Sequence, residues 1–461
     1  MSQNNIHFEI SERKILLRVM DILFILVVLY LTRLAFDFNY FKVSFENWSA
    51  IIVLVIYFSI FGSIFELYDL PKSSRFDATL QNVILAVLVT VLFYLLTPVY
   101  TPTLPGNRLQ ILFFFFAIAF ALLLSRFFYV TLLTTPRFHK RVLLIASGND
   151  IASFIDALQK SDPSYCIVGV FDTSGENIYL PNDIRRVNLE TLEKEIIELN
   201  ISEVVVAIHA GAGIASILSK KLLNLLEIGV TVRSFSSAYE DLTQRIPIYQ
   251  AETDFYNYFP FNRSNRNKLY LFFNRLIDIV VSVLGIMGTV ILLPFILIGN
   301  AIGNRGPLFY NQMRVGKNGK HFKLYKLRSM IVNAEKDGAQ FSQKGDLRIT
   351  KFGKILRRMR IDESPQFFNV LRGEMSLIGP RPERPEFVSL LNESIPFYEV
   401  RHVIKPGITG WAQVKSNYGE NELDSLEKLQ YDLYYIKHRS VLLDLVIVIK
   451  TLSIIVFFRG Q

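Results

Sequence analysis

Asp362 and Glu363 stand side by side, directly ahead of Ser364, Pro365, Gln366 and an apolar run that stops at Gly373. Proline at a first helical position and glycine just past the end mark a short helix over 365–372. The two carboxylates then sit at its N-terminus, where free amides and the helix dipole favour anions. Carboxylates in that place most often serve as caps. Their neighbours suggest a second use. Arg357 lies five residues ahead of Asp362, and Arg381 stands between two prolines in Gly379-Pro380-Arg381-Pro382, which stiffens the backbone around one cation. Carboxylates among arginines suit phosphoryl transfer. One attacks phosphorus, a metal ion bridges phosphate oxygens, and the arginines offset charge in the transition state.

Several elements must position these groups. Lys351 to Arg360 reads as a basic amphipathic helix, with Phe352, Ile355, Leu356 and Met359 at helical spacing among Lys351, Lys354, Arg357 and Arg358. Such a helix suits either a membrane surface or an ordinary packed surface. Upstream, Pro307–Gln312 and His321–Lys326 flank Lys317-Asn318-Gly319, a hairpin signal. Before that lies an apolar stretch, Ile279 to Ile298, interrupted by Pro294. Basic residues flank it on both sides: Arg263, Arg266, Lys268 and Arg275 before, Arg305, Arg314, Lys317 and Lys320 after. A spanning helix would carry one cluster across the bilayer, against the positive-inside rule. A helix that enters, kinks at Pro294 and leaves on the same side satisfies both. Leu442 to Phe458 is apolar but holds Asp444 and Lys450, which argues for an interfacial or packed helix over a further span.

Composition places all this at a membrane. The 461 residues are 51% hydrophobic with mean hydropathy +0.31, too apolar for a wholly soluble chain. Net charge is +9 and the pI about 9.3, so a polyanion is a natural partner. The long apolar runs favour lipid over nucleic acid. Four candidate spans occupy the first third: 15–36, 47–65, 78–100 and 109–134. The first is the weakest, because it contains Arg18, Asp21 and Arg33. Arg18 and Asp21, and the lack of a small-residue cleavage site, lead us to expect no removable signal peptide. Arg13, Lys14, Lys72, Arg75, Arg137, Lys140 and Arg141 lie on one side of these spans, against Lys42 and Arg108 on the other. That asymmetry puts the N-terminus and everything after residue 136 in the cytoplasm. The single cysteine, Cys166, allows no intrachain disulfide, in keeping with that side.

From 137 to 255 strands alternate with helices, as in a parallel, Rossmann-like α/β sheet. Arg141–Ala146, Cys166–Phe171 and Glu203–Ile208 read as strands. The turn after the first, Ser147-Gly148-Asn149-Asp150, has one glycine, so the dinucleotide fingerprint is absent. Asp172, ending the second strand, could hold a ribose but reads more simply as a turn residue. The domain is expected to be structural or regulatory.

The motifs of the last part, in order, are Gly306-Pro307, Gln312-x-Arg314-x-Gly316, Lys326-Leu-Arg328-Ser-Met330, Asp346-Leu-Arg348-Ile-Thr350, Asp362-Glu363-x-Pro365-Gln366, Asn369 through Pro382, and Lys405-Pro-Gly-Ile-Thr-Gly-Trp-Ala-Gln413. Over residues 268 to 461 this series closely resembles the bacterial sugar transferases, the polyprenyl-phosphate hexose-1-phosphate transferases. The whole chain is similar to their long form. The resemblance implies a three-part chain: a four-helix transmembrane domain (1–136), a Rossmann-like domain (137–255) and a mixed α/β catalytic domain (256–461) with a re-entrant helix at about 275–300. It also implies a ping-pong reaction on a UDP-sugar. Asp362 attacks the sugar-linked phosphate and releases UMP, and a polyprenyl phosphate, undecaprenyl in bacteria, takes the phosphosugar. Glu363 helps to hold Mg2+ with Asp362, Arg357 and Arg381 bind phosphate, and Lys326, Arg328, Asp346 and Arg348 belong to the site in general. The setting implied is the bacterial inner membrane, at the first membrane step of exopolysaccharide, capsule or O-antigen assembly.

Three positions depart from the family pattern: Leu293 where some members have serine, Ser364 in place of leucine, and Arg360 in place of a small polar residue. The first leaves the detail of the kink open. Two other functions compete: a non-catalytic scaffold for polysaccharide export, and a sugar-nucleotide modifying enzyme built on the middle domain. The absent fingerprint argues against the second, and the dyad with its arginines against the first. The sugar transferred, and whether the chain forms a homodimer, are not written in any motif.

Overall fold

The computed structural model describes residues 10–36, 38–68, 76–133, 140–148, 150–161, 165–174, 181, 184–207, 215–248, 267–332, 334, 346–416 and 422–456. The flanking charges Lys72, Arg75, Arg137, Arg263 and Arg266, and Asn149 of the glycine turn, lie outside these residues. The chain divides into two compact units, Met1–Ser234 and Phe235–Gln461.

The first unit begins with four apolar helices: α1 (Ile10–Ala35), α2 (Trp48–Ile64), α3 (Phe76–Leu95) and α4 (Leu109–Leu133). α1 packs on α4, and α3 packs on both α2 and α4. Their outward faces are apolar as well, with Val19, Leu23 and Val27 exposed on α1 and Phe116 and Phe120 on α4, as contact with lipid requires. Helices α1, α2 and α4 are long and apolar enough to cross a membrane; the described apolar part of α3, Leu80–Leu95, is shorter. The charge that weakens the first span in the sequence is neutralised here. Asp21 is fully buried, and Arg126 of α4 grips it with two bonds of 2.8 and 2.9 Å. Ser125 donates a third at 2.6 Å, and Arg126 also donates to Leu67 O. A paired, bidentate ion pair is the form in which charge is tolerated inside a bundle.

The α/β part of this unit is a five-stranded parallel sheet, in the order β3-β2-β1-β4-β5. Its elements are β1 (Lys140–Ala146), α5 (Asp150–Ser161), β2 (Tyr165–Asp172), β3 (Arg185–Arg186), α6 (Leu192–Glu198), β4 (Glu203–Ala207), α7 (Ala215–Glu227) and β5 (Thr231–Ser234). Asp172 is spent on its own turn. It accepts from Gly148 N at 3.1 Å and Ser174 N at 2.9 Å, and pairs with Arg186. Partial burial would raise its carboxyl, but these donors hold it below its ordinary value.

The second unit starts earlier than the expected boundary at 255. Helix α8 (Phe235–Thr243) and the strap to Ile248 belong to it, because their side chains bury there. Ile246 and Ile248 join a core with Trp411, Leu429 and Leu433. Glu240 pairs with Lys437 and His438, and Arg245 with Glu427. Sequence periodicity cannot show which neighbouring core receives a short helix.

The long helix α9 (Lys268–Gly303) runs as one helix with Pro294 inside it. Both its ends hold the same unit. Near the start, Arg275 donates to Val370 O and Leu371 O, at 2.6 and 2.7 Å, and Asp278 accepts from Ser376 Oγ and Leu377 N. Near the end, Ile296 packs with Leu327 and Leu356, and Asn304 donates to Arg328 O at 2.6 Å. Between them Met287, Val290, Ile291 and Phe295 are exposed.

After α9 come the antiparallel hairpin β6 (Phe309–Val315) and β7 (His321–Leu327), α10 (Lys351–Arg358), α11 (Gln366–Arg372), β8 (Ser376–Ile378), α12 (Pro385–Ser394), β9 (Gly407–Thr409), α13 (Trp411–Lys415), α14 (Glu422–His438) and α15 (Val441–Val456). Asn318 and Gly319 take positive φ in the hairpin turn, as their types allow. β8 pairs parallel with β9. The charge in the apolar α15 is also explained: Asp444 accepts from Tyr435 at 2.7 Å and Tyr270 at 2.5 Å.

Candidate active site

α10 is fixed against the end of β7. Gly353 lies so close to the Ser329 carbonyl that a Cβ there would come within 1.9 Å of its oxygen. Thr350 caps the helix by accepting from Gly353 N at 2.9 Å. Arg357, in its last turn, donates from Nε to Ser329 Oγ at 2.8 Å. Arg360 then takes a left-handed conformation (φ 58°, ψ 17°), which turns the chain into the short 3-10 turn Ile361–Glu363. Pro365 follows and α11 begins, ending at Gly373 in the left-handed region. The dyad therefore sits in a tight link between two helices, not inside either. Asn369 of α11, fully buried, ties this link to β7 by donating to Lys323 O and accepting from Tyr325 N.

Both carboxylates are buried, but their surroundings differ. Glu363 faces three cations: Lys326 of β7 at 3.4 Å, Arg360 at 3.2 Å and Arg381 at 3.3 Å. Burial alone would raise its carboxyl, yet Lys326, Arg381 and Arg360 hold it well below the usual carboxylate range. Asp362 goes the other way. Burial pushes it up, the charge of Glu363 adds to that, and Lys326, Arg357 and Arg360 offset part of it. Asp362 Oδ1 is buried and has no hydrogen-bond partner among the described residues. Burial pushes Lys326 down to about 8, against the pull of Glu363. Counting formal charges, four cations (Lys326, Arg357, Arg360, Arg381) surround two carboxylates. That leaves a surplus of about two, which suits a phosphorylated ligand.

Of the remaining residues marked in the sequence, Asp346 lies near enough to Arg357 for their charges to interact, and Arg328 turns to other partners. Arg348 clasps Asp346 at 2.6 Å, closing a local turn whose backbone meets Ile331. Arg328 points away from the dyad, to Pro307 O, Met330 O and the side chain of Asn304, and so locks β7 to the end of α9. No motif or spacing in the sequence marks Arg401 and Asp432, which meet at the Arg381 loop. Arg360 stands out in the sequence only as the end of the basic helix and as a departure from the family pattern, although it touches Glu363.

A magnesium ion takes one or two carboxylates together with phosphate oxygens of its substrate. Asp362 Oδ1 fits as one such ligand. Glu363 fits less well, since its oxygens already face three cations. Among the described residues no three His, Cys, Asp or Glu side chains gather as a complete metal cage.

A helix-anchored α/β domain with this buried dyad defines the class, and comparison with known proteins agrees. Residues 269–458 match the bacterial sugar transferase family. A galactosyl transferase of Streptococcus agalactiae is 30% identical over 339 residues, covering 69% of this chain and 72% of that protein. The chain belongs to the bacterial sugar transferase family. It is also 48% identical over 189 residues to a UDP-N-acetylgalactosamine-undecaprenyl-phosphate N-acetylgalactosaminephosphotransferase of Aeromonas hydrophila (41% of this chain, 44% of that protein). It is 41% identical over 190 residues to a UDP-glucose:undecaprenyl-phosphate glucose-1-phosphate transferase of Xanthomonas campestris (41% of this chain, 39% of that protein). These last two alignments span less than half of each relative's length.

Proposed function

We propose that this chain transfers a sugar-1-phosphate from a UDP-sugar to a polyprenyl phosphate and releases UMP, at the start of glycan assembly. The observation that carries this reading is the contrast within the dyad: Glu363 is held by three cations while Asp362 keeps a buried, unbonded oxygen. Such an oxygen is poorly solvated and available to attack. In the first step Asp362 attacks the sugar-linked phosphorus. The bond from that phosphorus to the bridging oxygen breaks, and UMP leaves with the electron pair. In the second, an oxygen of the polyprenyl phosphate attacks the same phosphorus and the Asp362 carboxylate departs. Arg357 and Arg381 bind phosphate oxygens, and Glu363 keeps Lys326, Arg360 and Arg381 converged on the site. Asp362 and the substrate phosphates would hold Mg2+, which supplies further neutralisation of phosphate charge.

The same reading places the protein in the bacterial inner membrane with its α/β parts in the cytoplasm. It makes α9 a re-entrant helix. Helix ends that both grip one polar domain cannot lie on opposite faces of a bilayer unless that domain crosses too. The exposed apolar stretch from Met287 to Phe295 supports insertion of the middle. The two shorter matches above differ in the sugar they name.

The test is UMP release by purified protein given undecaprenyl phosphate, Mg2+ and each of a panel of UDP-sugars. Lipid-dependent UMP from one donor, lost in Asp362→Asn, supports the reading. Folded protein that releases no UMP from any donor refutes it.

A further inference from the structure

The loop that carries Arg381 is held at four successive carbonyls by four separate donors. Pro380 O accepts from Gly407 N at 2.9 Å, and Glu383 O from Val315 N at 2.9 Å. Arg381 O accepts from Arg401 Nη2 and Pro382 O from Arg314 Nη1, each at 3.0 Å. The proline rings at 380 and 382 fix φ on either side. Two of the donors are guanidinium groups, which are costly to take out of water. Arg401 is 5% exposed. It is compensated by Asp432 of α14, 2% exposed, at 2.8 Å from the same Nη2. Its other terminal nitrogen donates to the Tyr398 hydroxyl, and the guanidinium lies 4.9 Å from the centre of that ring.

Stability alone is a weak reason for such a pair, because well-packed apolar residues often serve a core equally well. An apolar pair could not grip a carbonyl. The carbonyl gripped belongs to the residue whose side chain faces Glu363. We propose that Arg401, fixed by Asp432, is a positioning residue that sets the backbone of Arg381 and so aims its guanidinium into the active site. Arg314 steadies the next carbonyl from the other side, itself paired with Glu383 at 3.4 Å. Arg381 is long and partly exposed, so a small tilt of its peptide plane is magnified at the guanidinium. Misplacement of a phosphate-binding group by about 1 Å costs up to about a hundredfold in rate. Neither residue touches the dyad, and both act only through Arg381.

This inference rests on Arg381 serving the transfer site, and a double-mutant cycle in the full-length protein separates the two ideas. R401K keeps the charge but cannot bridge Asp432, Tyr398 and the carbonyl together; D432N removes the counter-charge at nearly constant shape. Each is expected to lower kcat/KM for the UDP-sugar about tenfold or more. In an R381A background the same changes are expected to cost less than about twofold, since the residue they act through is gone. Thermal melts identify folded variants, and D432N carries the cycle if R401K does not fold. Equal losses in both backgrounds, or no loss in either, overturn the positioning role. If R381A alone leaves turnover unchanged, the reading of the site falls as well, and the positioning role with it.

Discussion

Arg381 reaches Glu363 with both of its terminal nitrogens, Nη1 and Nη2, each 3.3 Å from the same oxygen, Oε1. Lys326 approaches that oxygen from β7 at 3.4 Å. One carboxylate oxygen thus gathers cations from two remote parts of the chain, and the other oxygen takes Arg360. Glu363 acts in this arrangement as a hub for positive charge, which leaves Asp362 as the group with an unbonded oxygen.

Replacing Asp362 by asparagine should therefore separate activity from stability. Its carboxyl is raised in the folded state, so the stability it contributes is present when it is protonated, at low pH, and is lost as pH rises through its folded value. At neutral pH the asparagine variant should melt no lower than the parent. Its UMP release should fall about a thousandfold or more, as expected when a nucleophile is removed. Thermal melts and turnover on the same preparation check both.

Lys326 should set the alkaline limb of the pH profile. Its folded value is lowered to about 8, so it loses its proton as pH rises through that range, and one cation of the hub disappears. Activity should decline above about pH 8 for that reason. Over the interval from about 8 up to the ordinary lysine value the unfolded chain binds more protons, so this group makes stability rise with pH while activity falls. In Lys326→Arg the guanidinium stays charged, and the limb should move to higher pH. A profile unchanged by that substitution would remove Lys326 from the explanation.

Arg328 should behave as a structural residue. Its partners are backbone carbonyls and Asn304 at the end of α9, and it is 8% exposed. Arg328→Ala leaves several buried acceptors unmet and should cost about 3 kcal/mol. The activity that remains should track the folded fraction measured by circular dichroism, with KM for the donor unchanged.

Two glycines of α9 make a paired control on how that helix packs. A Cβ at Gly299 would come within 2.2 Å of the Phe352 ring, whereas one at Gly288 would meet nothing within 4 Å. Gly288→Ala should be neutral, or stabilising by up to about 1 kcal/mol, from helix propensity. Gly299→Ala should destabilise by about 1–3 kcal/mol through overpacking against α10. Melting temperatures in detergent read the difference directly.

Much of this molecule is legible along the chain. Hydropathy gives the four helices, alternation gives the parallel sheet, and Pro365 with Gly373 gives the short helix behind the dyad. Asp362, Glu363, Lys326 and Arg381 meet in space, as their motif membership suggested. Other features depend on partners distant in sequence. Nothing near Arg401 tells that it will find Asp432, thirty-one residues on, or the carbonyl of Arg381, twenty residues back. Arg328 sits in a motif and looks like a site residue, because spacing records that a side chain is present and not which way it points. Asp21 reads as a flaw in its helix for the same reason.

The pairing of Asp21 with Arg126 also bears on how the protein is made. The two residues are 105 positions apart, on the first and last helices of the bundle. While the ribosome is still working through α2 and α3, Arg126 has not been made, and Asp21 lacks the bidentate partner it has in the finished bundle. The leading helix then waits with that carboxylate unpaired to Arg126 until the fourth helix emerges and packs on it. Assembly of this bundle is thereby given an order, in which the last helix to arrive locks the first.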